Sequence, residues 1–122
     1  MITGIGVDLV EVHRVVQACQ KEHFLWRYFT EAEIELIQTD QKKAADNFAV
    51  KEAVAKMFGT GFRGFELKDI EVLRDDLGKP FVKLYGKARK QAQAQGITSI
   101  HVSISNTKEF ANAFVVGEAN PQ

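Results

Sequence analysis

NFAVKEAVAKMFGTG, residues 47–61, sets the centre of the fold because it is typical of a helix that ends at glycine. Phe48, Glu52 and Lys56 recur every four residues, so a period of about 3.6 residues places them on one side of this helix. Small and apolar residues surround that side, so we expect Glu52 to be partly buried. A buried carboxylate needs a partner, which is either Lys56 or a bound metal ion. Gly59 supplies the left-handed conformation that often ends helices.

The segment at residues 2–8 has the alternation of a β-strand. Gly4, Gly6 and Asp8 alternate with larger apolar residues, so they share one face of the strand. Two glycines on one face allow another backbone, or a ligand, to pack directly against it. Asp8 is therefore a candidate for a site at that face.

Residues 9–21 change to a helical period. An apolar stripe through Val12, Val15 and Cys19 predicts an amphipathic helix, with Arg14 and Lys21 on its opposite side. Arg14 and Lys21 give this helix a basic outer surface.

The rest of the chain alternates helices with paired strands. Thr30 followed by Glu33 predicts a capping box at the start of a short helix. Further elements are predicted as strands at 70–74 and 81–85, a helix at 86–95, and strands at 100–105 and 110–116. This order is typical of a single α+β domain, residues 1–118, with antiparallel hairpins packed on a central helix. Residues 119–122 are expected to form a frayed tail.

The composition narrows the classes of function. The chain has 122 residues, with 16 Lys and Arg balanced by 16 Asp and Glu, so it lacks the positive excess of a general nucleic-acid or anionic-membrane binder. The lone Cys19 cannot form an internal disulfide, which favours a reducing, cytoplasmic location. Asp8 and Glu11 interrupt the apolar N-terminal segment, so we expect no signal peptide, and no apolar run has transmembrane length.

Four strings occur in an order that resembles the motif set of bacterial holo-acyl-carrier-protein synthase, a 4′-phosphopantetheinyl transferase. They are GIGVDLVEVHRV at 4–15, FAVKEAVAKMFGTG at 48–61, DDLGKP at 75–80 and HVSISNTKEFANAFVV at 101–116. The resemblance covers nearly the whole chain. It implies transfer of the phosphopantetheine arm from coenzyme A to a serine of acyl carrier protein, leaving adenosine 3′,5′-bisphosphate.

The resemblance also implies the residues of the site. In this family Mg²⁺ is held by the acids that match Asp8 and Glu52, the same two acids that the strand and helix patterns indicate. Mg²⁺ would relieve the repulsion between two carboxylates and bridge phosphate oxygens. Lys56 is the expected phosphate clamp, one helical turn beyond Glu52. The residue that accepts the serine proton stays open between Asp8, Glu52 and a metal-bound water.

Family members further imply a coenzyme A site lined by residues from three segments. These are Gly59, Gly61, Lys79, Pro80, Ser103, Asn106 and Thr107. Many relatives have arginine where this chain has Asn47 and histidine where it has Asn106. Both replacements would remove possible phosphate contacts, so we expect weaker or rearranged binding of the nucleotide end.

Partners and assembly follow from charge and resemblance. Acyl carrier proteins are acidic, so Arg14 and Lys21 are the expected docking residues for the carrier. The family is commonly trimeric with sites between subunits, and the glycine-rich face of the first strand would suit such an interface.

Other interpretations remain open. Asp8 could be a helix N-cap, and Glu52 with Lys56 could be an ordinary surface salt bridge. The same acids and lysine could serve a magnesium-dependent phosphohydrolase, which directs water instead of a protein hydroxyl at the phosphate. A non-enzymatic module that binds acidic helices through Arg14 and Lys21 is a third function.

Overall fold

The computed structural model describes residues 1–61 and 64–120. Ten helices and strands follow one another in these residues. They are β1 Ile2–Glu11, α1 Val12–Ala18, α2 Glu22–Tyr28, α3 Glu31–Thr39, α4 Lys42–Phe58, β2 Ile70–Arg74, β3 Pro80–Leu84, α5 Gly86–Ala94, β4 Ser99–Asn106 and β5 Phe110–Glu118. A single 3₁₀ turn at Leu67–Asp69 precedes β2.

The strands form two antiparallel sheets. The larger has the order β1-β5-β4, and the smaller is the hairpin of β2 and β3. Asp8 lies opposite Ala113 of β5, and Ala113 lies opposite Ile104 of β4. The sequence prediction of an α+β fold, with antiparallel hairpins packed on a central helix, is confirmed.

Helix α4 covers one face of the larger sheet, which we call the inner face. A Cβ atom at Gly6 would overlap the carbonyl oxygen of Ala53, and one at Gly4 would overlap that of Met57. The glycines therefore admit another backbone, as their pattern predicted, and that backbone belongs to α4 of the same chain. The expectation that the glycine-rich face lies between subunits is wrong, because α4 already fills it.

The opposite face of this sheet, which we call the outer face, is apolar and exposed. Five large apolar residues on this face are each 40% to 61% exposed, namely Ile5, Val7, Leu9, Phe110 and Phe114. Their inner-face neighbours on β5 are small and buried, including Ala111 and Ala113. The sheet thus has a closed inner face and an open outer face.

The helical boundaries near the N-terminus differ from the prediction for residues 9–21. Strand β1 continues to Glu11, which pairs with Phe110, so α1 starts only at Val12. Lys21 is outside α1 and forms the N-cap of α2. At the N-terminal end of the predicted helix, pairing with β5 keeps the residues up to Glu11 in a strand. At its C-terminal end, a turn after α1 stops the helix before Lys21.

Other local predictions are confirmed by the structure. The Thr30 side chain accepts from the Glu33 amide while the Glu33 carboxylate accepts from the Thr30 amide, which completes the capping box of α3. Gly59 ends α4 at φ 75°, in the left-handed region. Among the described residues, no helix is both long enough and apolar enough to span a bilayer.

The predicted frayed tail, residues 119–122, starts with two hydrogen-bonded residues. The Ala119 amide donates to Met1 O at 2.8 Å, and the Asn120 amide donates to Thr98 Oγ1 at 3.1 Å. Residues 121 and 122 lie outside the described residues, as do residues 62 and 63 in the glycine loop.

Candidate active site

Asp8 and Lys56 meet where β1 crosses α4. The Lys56 ammonium donates to Asp8 Oδ1 and to the carbonyl oxygen of Val7, each at 3.0 Å. The Asp8 side chain is 15% exposed and that of Lys56 is 56% exposed. A shielded carboxylate is therefore paired with a lysine that keeps access to solvent.

Glu52 lies next to the same pair. It is partly buried, and this burial raises the pKa of its carboxyl; the negative charge of Asp8 raises it further, while Lys56 opposes the shift. The influence of Asp8 on Glu52 means that the two carboxylates lie close enough to repel each other. The sequence prediction brought these three residues together, and the structure places them on adjoining elements.

The structural alternatives for these residues do not fit the geometry. Asp8 is in the ladder of β1 rather than at a helix start, and the N-cap of α1 is Glu11. The ion pair of Lys56 joins it to Asp8, on another element, instead of to Glu52 one turn away. Asp8 is therefore not a helix N-cap, and Lys56 is paired with Asp8 across the contact between β1 and α4 instead of with Glu52.

Asp8 and Glu52 carry the kind of oxygen ligands that a hard divalent cation takes. Mg²⁺ commonly takes one or two protein carboxylates and completes its shell with waters and phosphate oxygens. Within residues 1–61 and 64–120, no group of three or more His, Cys, Asp or Glu could hold a metal ion. Asp8 and Glu52 are the carboxylates that would hold such an ion here, and phosphate oxygens and waters would complete its shell.

A cavity of about 330 Å³ opens beside Glu52. Four of its eight lining residues are aromatic and three are charged; the eight are Phe24, Arg27, Tyr28, Phe48, Glu52, Phe65, Glu66 and Leu67. Arg27 and Glu66 were not among the site residues predicted from the sequence. A signal was present, since Phe24 and Tyr28 are four residues apart and Arg27 lies between them.

The predicted coenzyme A residues fall in separate places on one chain. Gly59 and Gly61 follow α4 with φ values of 75° and 65°. Lys79 and Pro80 end the turn of the β2–β3 hairpin, where the Lys79 amide donates to Asp75 Oδ1.

The segment after β4 is divided as well. Ser103 pairs with Phe114 and is exposed on the outer face, away from Glu52. Thr107 Oγ1 accepts from the amide of Phe110 and so shapes the β4–β5 turn. A single chain therefore does not gather all the predicted coenzyme A residues around Asp8 and Glu52.

The two positions that depart from the family pattern lie in polar clusters. Asn47 is fully buried, donates to Glu33 Oε2 and Val72 O, and accepts from Arg74. This chain therefore offers no phosphate contact at Asn47. The Asn106 amide donates to both carboxylate oxygens of Asp46, at 2.9 and 3.1 Å, so that amide is already engaged.

The predicted docking residues are exposed. The Arg14 side chain is 78% exposed, and its guanidinium is 4.0 Å from Glu11 Oε1. It also lines a groove of about 510 Å³ that runs towards Phe24 and Phe48. Lys21 is exposed at the start of α2. Both cations are accessible to a partner.

Comparison with known proteins gives consistent matches over the whole chain. The profile of the 4′-phosphopantetheinyl transferase superfamily matches residues 4–115. A holo-[acyl-carrier-protein] synthase of Lachnoclostridium phytofermentans is 57% identical over 118 residues, which cover 97% of each chain.

Solved structures match the fold equally well. The holo-[acyl-carrier-protein] synthase of Neisseria meningitidis superposes with a TM-score of 0.87 at 34% identity, covering 97% of this chain and 99% of the other. The Helicobacter pylori synthase, solved in complex with coenzyme A, gives 0.81 at 30% identity and covers 93% and 99%.

Proposed function

This chain belongs to the 4′-phosphopantetheinyl transferase superfamily, and we propose that it moves the phosphopantetheine arm of coenzyme A onto a serine of apo acyl carrier protein. The name of the Lachnoclostridium relative and the coenzyme A complex of the Helicobacter relative support both substrates. The observation that carries the proposal is the meeting of Asp8, Glu52 and Lys56 between β1 and α4.

The reaction requires charge control at a pyrophosphate. The serine oxygen forms a bond to the β-phosphorus of coenzyme A. The bond between that phosphorus and the bridging oxygen of the pyrophosphate breaks, and adenosine 3′,5′-bisphosphate leaves with that oxygen. Mg²⁺, held by Asp8 and Glu52, would neutralise the charge that develops on the phosphate oxygens. The serine proton passes to Asp8, Glu52 or a nearby water.

Lys56 has the access to solvent that a phosphate clamp needs. Its side chain is 56% exposed, and its bonds to Asp8 and Val7 O are made at the surface. When a cation binds the Asp8 carboxylate, the ammonium can turn to a phosphate oxygen without crossing the core. Rigid placement of Lys56 and Glu52 on one helix then lowers the cost of orienting the reacting groups.

Assembly into trimers fits the outer face of the larger sheet. Apolar residues there, such as Ile5 and Phe114, are exposed in one chain, and an apolar patch of this kind marks an interaction site. Ser103 shares this face and would therefore lie at such an interface. This arrangement supports sites between subunits on the face opposite the glycines.

Carrier docking is assigned to the basic residues near α1. Arg14 and Lys21 are exposed and would attract an acidic carrier, with the strongest effect at low ionic strength. Arg14 adjoins the groove that leads to Phe48, one helical turn from Glu52. The carrier would thereby reach the site along the helical side of the molecule.

The decisive experiment follows carrier mass. Purified protein, coenzyme A, Mg²⁺ and apo carrier should give a carrier heavier by one phosphopantetheine arm, and Glu52→Gln should lower the rate by about 10²-fold or more. Glu35→Gln is the matched control, because Glu35 is an exposed helical glutamate away from Asp8. Undiminished transfer by folded Glu52→Gln would refute the assigned site.

Two control reactions separate the other functions. Equal cleavage of coenzyme A with and without carrier would identify a phosphohydrolase. Carrier binding without any mass change, and unaffected by Glu52→Gln, would identify a non-enzymatic binding module.

A further inference from the structure

Glu33 and Lys51 form a fully buried ion pair directly behind the proposed site. Lys51 Nζ lies 2.7 Å from Glu33 Oε1, and both side chains are 0% exposed. Lys51 also donates to the carbonyl oxygens of Leu67 and Ile70, so its three N–H groups all have acceptors. The Glu33 carboxylate accepts from Lys51 Nζ, Asn47 Nδ2 and the amides of Thr30 and Val72.

Stability alone does not explain this pair. Moving two charges out of water costs about as much as their attraction returns, and hydrophobic replacements of buried pairs are often neutral. Burial lowers the pKa of Lys51 and raises that of Glu33, while the charge of each partner opposes the shift of the other. The pair also fixes the orientation of α4 relative to its neighbours, since its hydrogen bonds join α3, α4, β2 and the 3₁₀ turn.

These bonds fix the rotation of α4 about its axis. Asn47 and Lys51 are one turn apart and lie on the same side of the helix, and both are tied to Glu33. Glu52 follows Lys51 and therefore projects about 100° further around the helix. The contact between α4 and Gly6 sets the distance of the helix from the sheet, whereas the bonds of Asn47 and Lys51 set its angle.

Small changes in this angle matter at the site. A rotation of about 15° would move an atom about 6 Å from the helix axis by about 1.5 Å. A displacement of about 1 Å can lower a reaction rate about 10²-fold. We propose that Glu33 and Lys51 are positioning residues that set the angle at which α4 presents Glu52 to Asp8. This role rests on the proposed function, because it matters only if the two carboxylates share a cation.

The test replaces the pair by neutral side chains of similar shape. Glu33→Gln combined with Lys51→Met leaves no buried charge unpaired. Two quantities are measured in the complete enzyme: the Mg²⁺ concentration that gives half-maximal carrier modification, and Mn²⁺ affinity by electron paramagnetic resonance with coenzyme A present. Both should weaken about 10-fold or more, because a rotated α4 would move Glu52 away from the position in which it shares a cation with Asp8. The KM for the carrier should change less than about twofold, since the carrier contacts neither residue.

Val54→Ala is the matched control because Val54 is fully buried on the same helix and has no part in the pair. It should lower the melting temperature while leaving both metal measurements unchanged. A folded double variant with wild-type Mn²⁺ affinity and Mg²⁺ dependence would overturn the positioning role.

Two further outcomes are also decisive. If the double variant does not fold, Glu33→Asp alone, which keeps both charges but shortens the carboxylate's reach, is measured by the same criteria, and failure of both to fold would show that the pair serves the fold rather than the angle of Glu52. A wild-type protein that neither modifies carrier nor binds Mn²⁺ would instead refute the proposed function.

Discussion

The two faces of the β1-β5-β4 sheet differ in what covers them. The inner face carries glycine and alanine, and α4 lies so close that no side chain fits at Gly4 or Gly6. The outer face carries Ile5, Leu9 and Phe114, which remain exposed. The same strands thus have one face covered within the chain and the other exposed, so substitutions on the two faces should have different consequences.

The largest effect is expected on the inner face. Gly6→Ala places a methyl group against the Ala53 carbonyl, and neither backbone can move without breaking the sheet or α4. Overpacking costs about 1–3 kcal/mol and occasionally more, and a backbone overlap belongs at the upper end or beyond. We expect a loss of about 3 kcal/mol or more in the free energy of unfolding, measured by urea denaturation.

His101→Ala is a control for that experiment, because His101 is exposed on the outer face and its ring contacts the partly exposed Glu118. It should leave the denaturation midpoint unchanged. An unchanged midpoint for Gly6→Ala as well would show that the inner face is not closed in the way described.

A separate effect is expected on the outer face. Ile5→Lys puts a charge into the exposed apolar patch, so it should disrupt subunit association while the single chain stays folded. A central interface residue commonly contributes about 2 kcal/mol or more, which corresponds to about 30-fold in the dissociation constant. Sedimentation velocity measures the change, and transfer activity should fall together with assembly.

Leu77→Lys serves as the comparison, because Leu77 is 96% exposed in the turn between β2 and β3 and lies outside this sheet. Both variants should give native circular dichroism. If Ile5→Lys associates like the wild type, the outer face is not the subunit interface.

A third effect, on side-chain reactivity instead of stability or assembly, concerns Cys19, which belongs to the core cluster that also contains Ala111 of the inner face. Burial raises the pKa of this thiol from 9.0 to about 11. At pH 8 the reactive thiolate is therefore about 100-fold scarcer than in an unfolded chain. Reaction with Ellman's reagent should be slow in the folded protein, rise as the pH approaches 11, and become fast in guanidinium chloride. If Cys19 reacted with Ellman's reagent at the same rate at pH 8 before and after unfolding, that would contradict its burial in the core beside the sheet.

Much of this fold could be predicted because its signals are local. The span of β2 at residues 70–74 matches the prediction, and the capping box at Thr30 and the stop at Gly59 follow from neighbouring residues. The helix predicted over 9–21 was too long at both ends. The N-terminal part of this segment pairs with β5 instead of forming a helix. Because β5 lies about 100 residues later in the chain, the local sequence pattern does not reveal this pairing.

The site shows the same division. Asp8, Glu52 and Lys56 could be identified because glycine and alanine around them left room for a partner. The burial of Asn47 and Lys51 could not be predicted, because Glu33, which accepts hydrogen bonds from both, lies on another helix, 14 and 18 residues away. The sequence linked Asn47 only to the loss of a phosphate contact, whereas the structure shows it enclosed by the packing of α3 and β2.

The pairing of β1 with β5 has a consequence for synthesis of the protein. Asp8 is held opposite Ala113, so the first strand to leave the ribosome must wait for the last strand of the sheet. At about 5–20 residues per second, this wait lasts roughly 5–20 s. During that interval the glycine-rich strand has no neighbour in its own sheet, and a nascent chain stopped before Phe110 should leave its amides open to deuterium exchange.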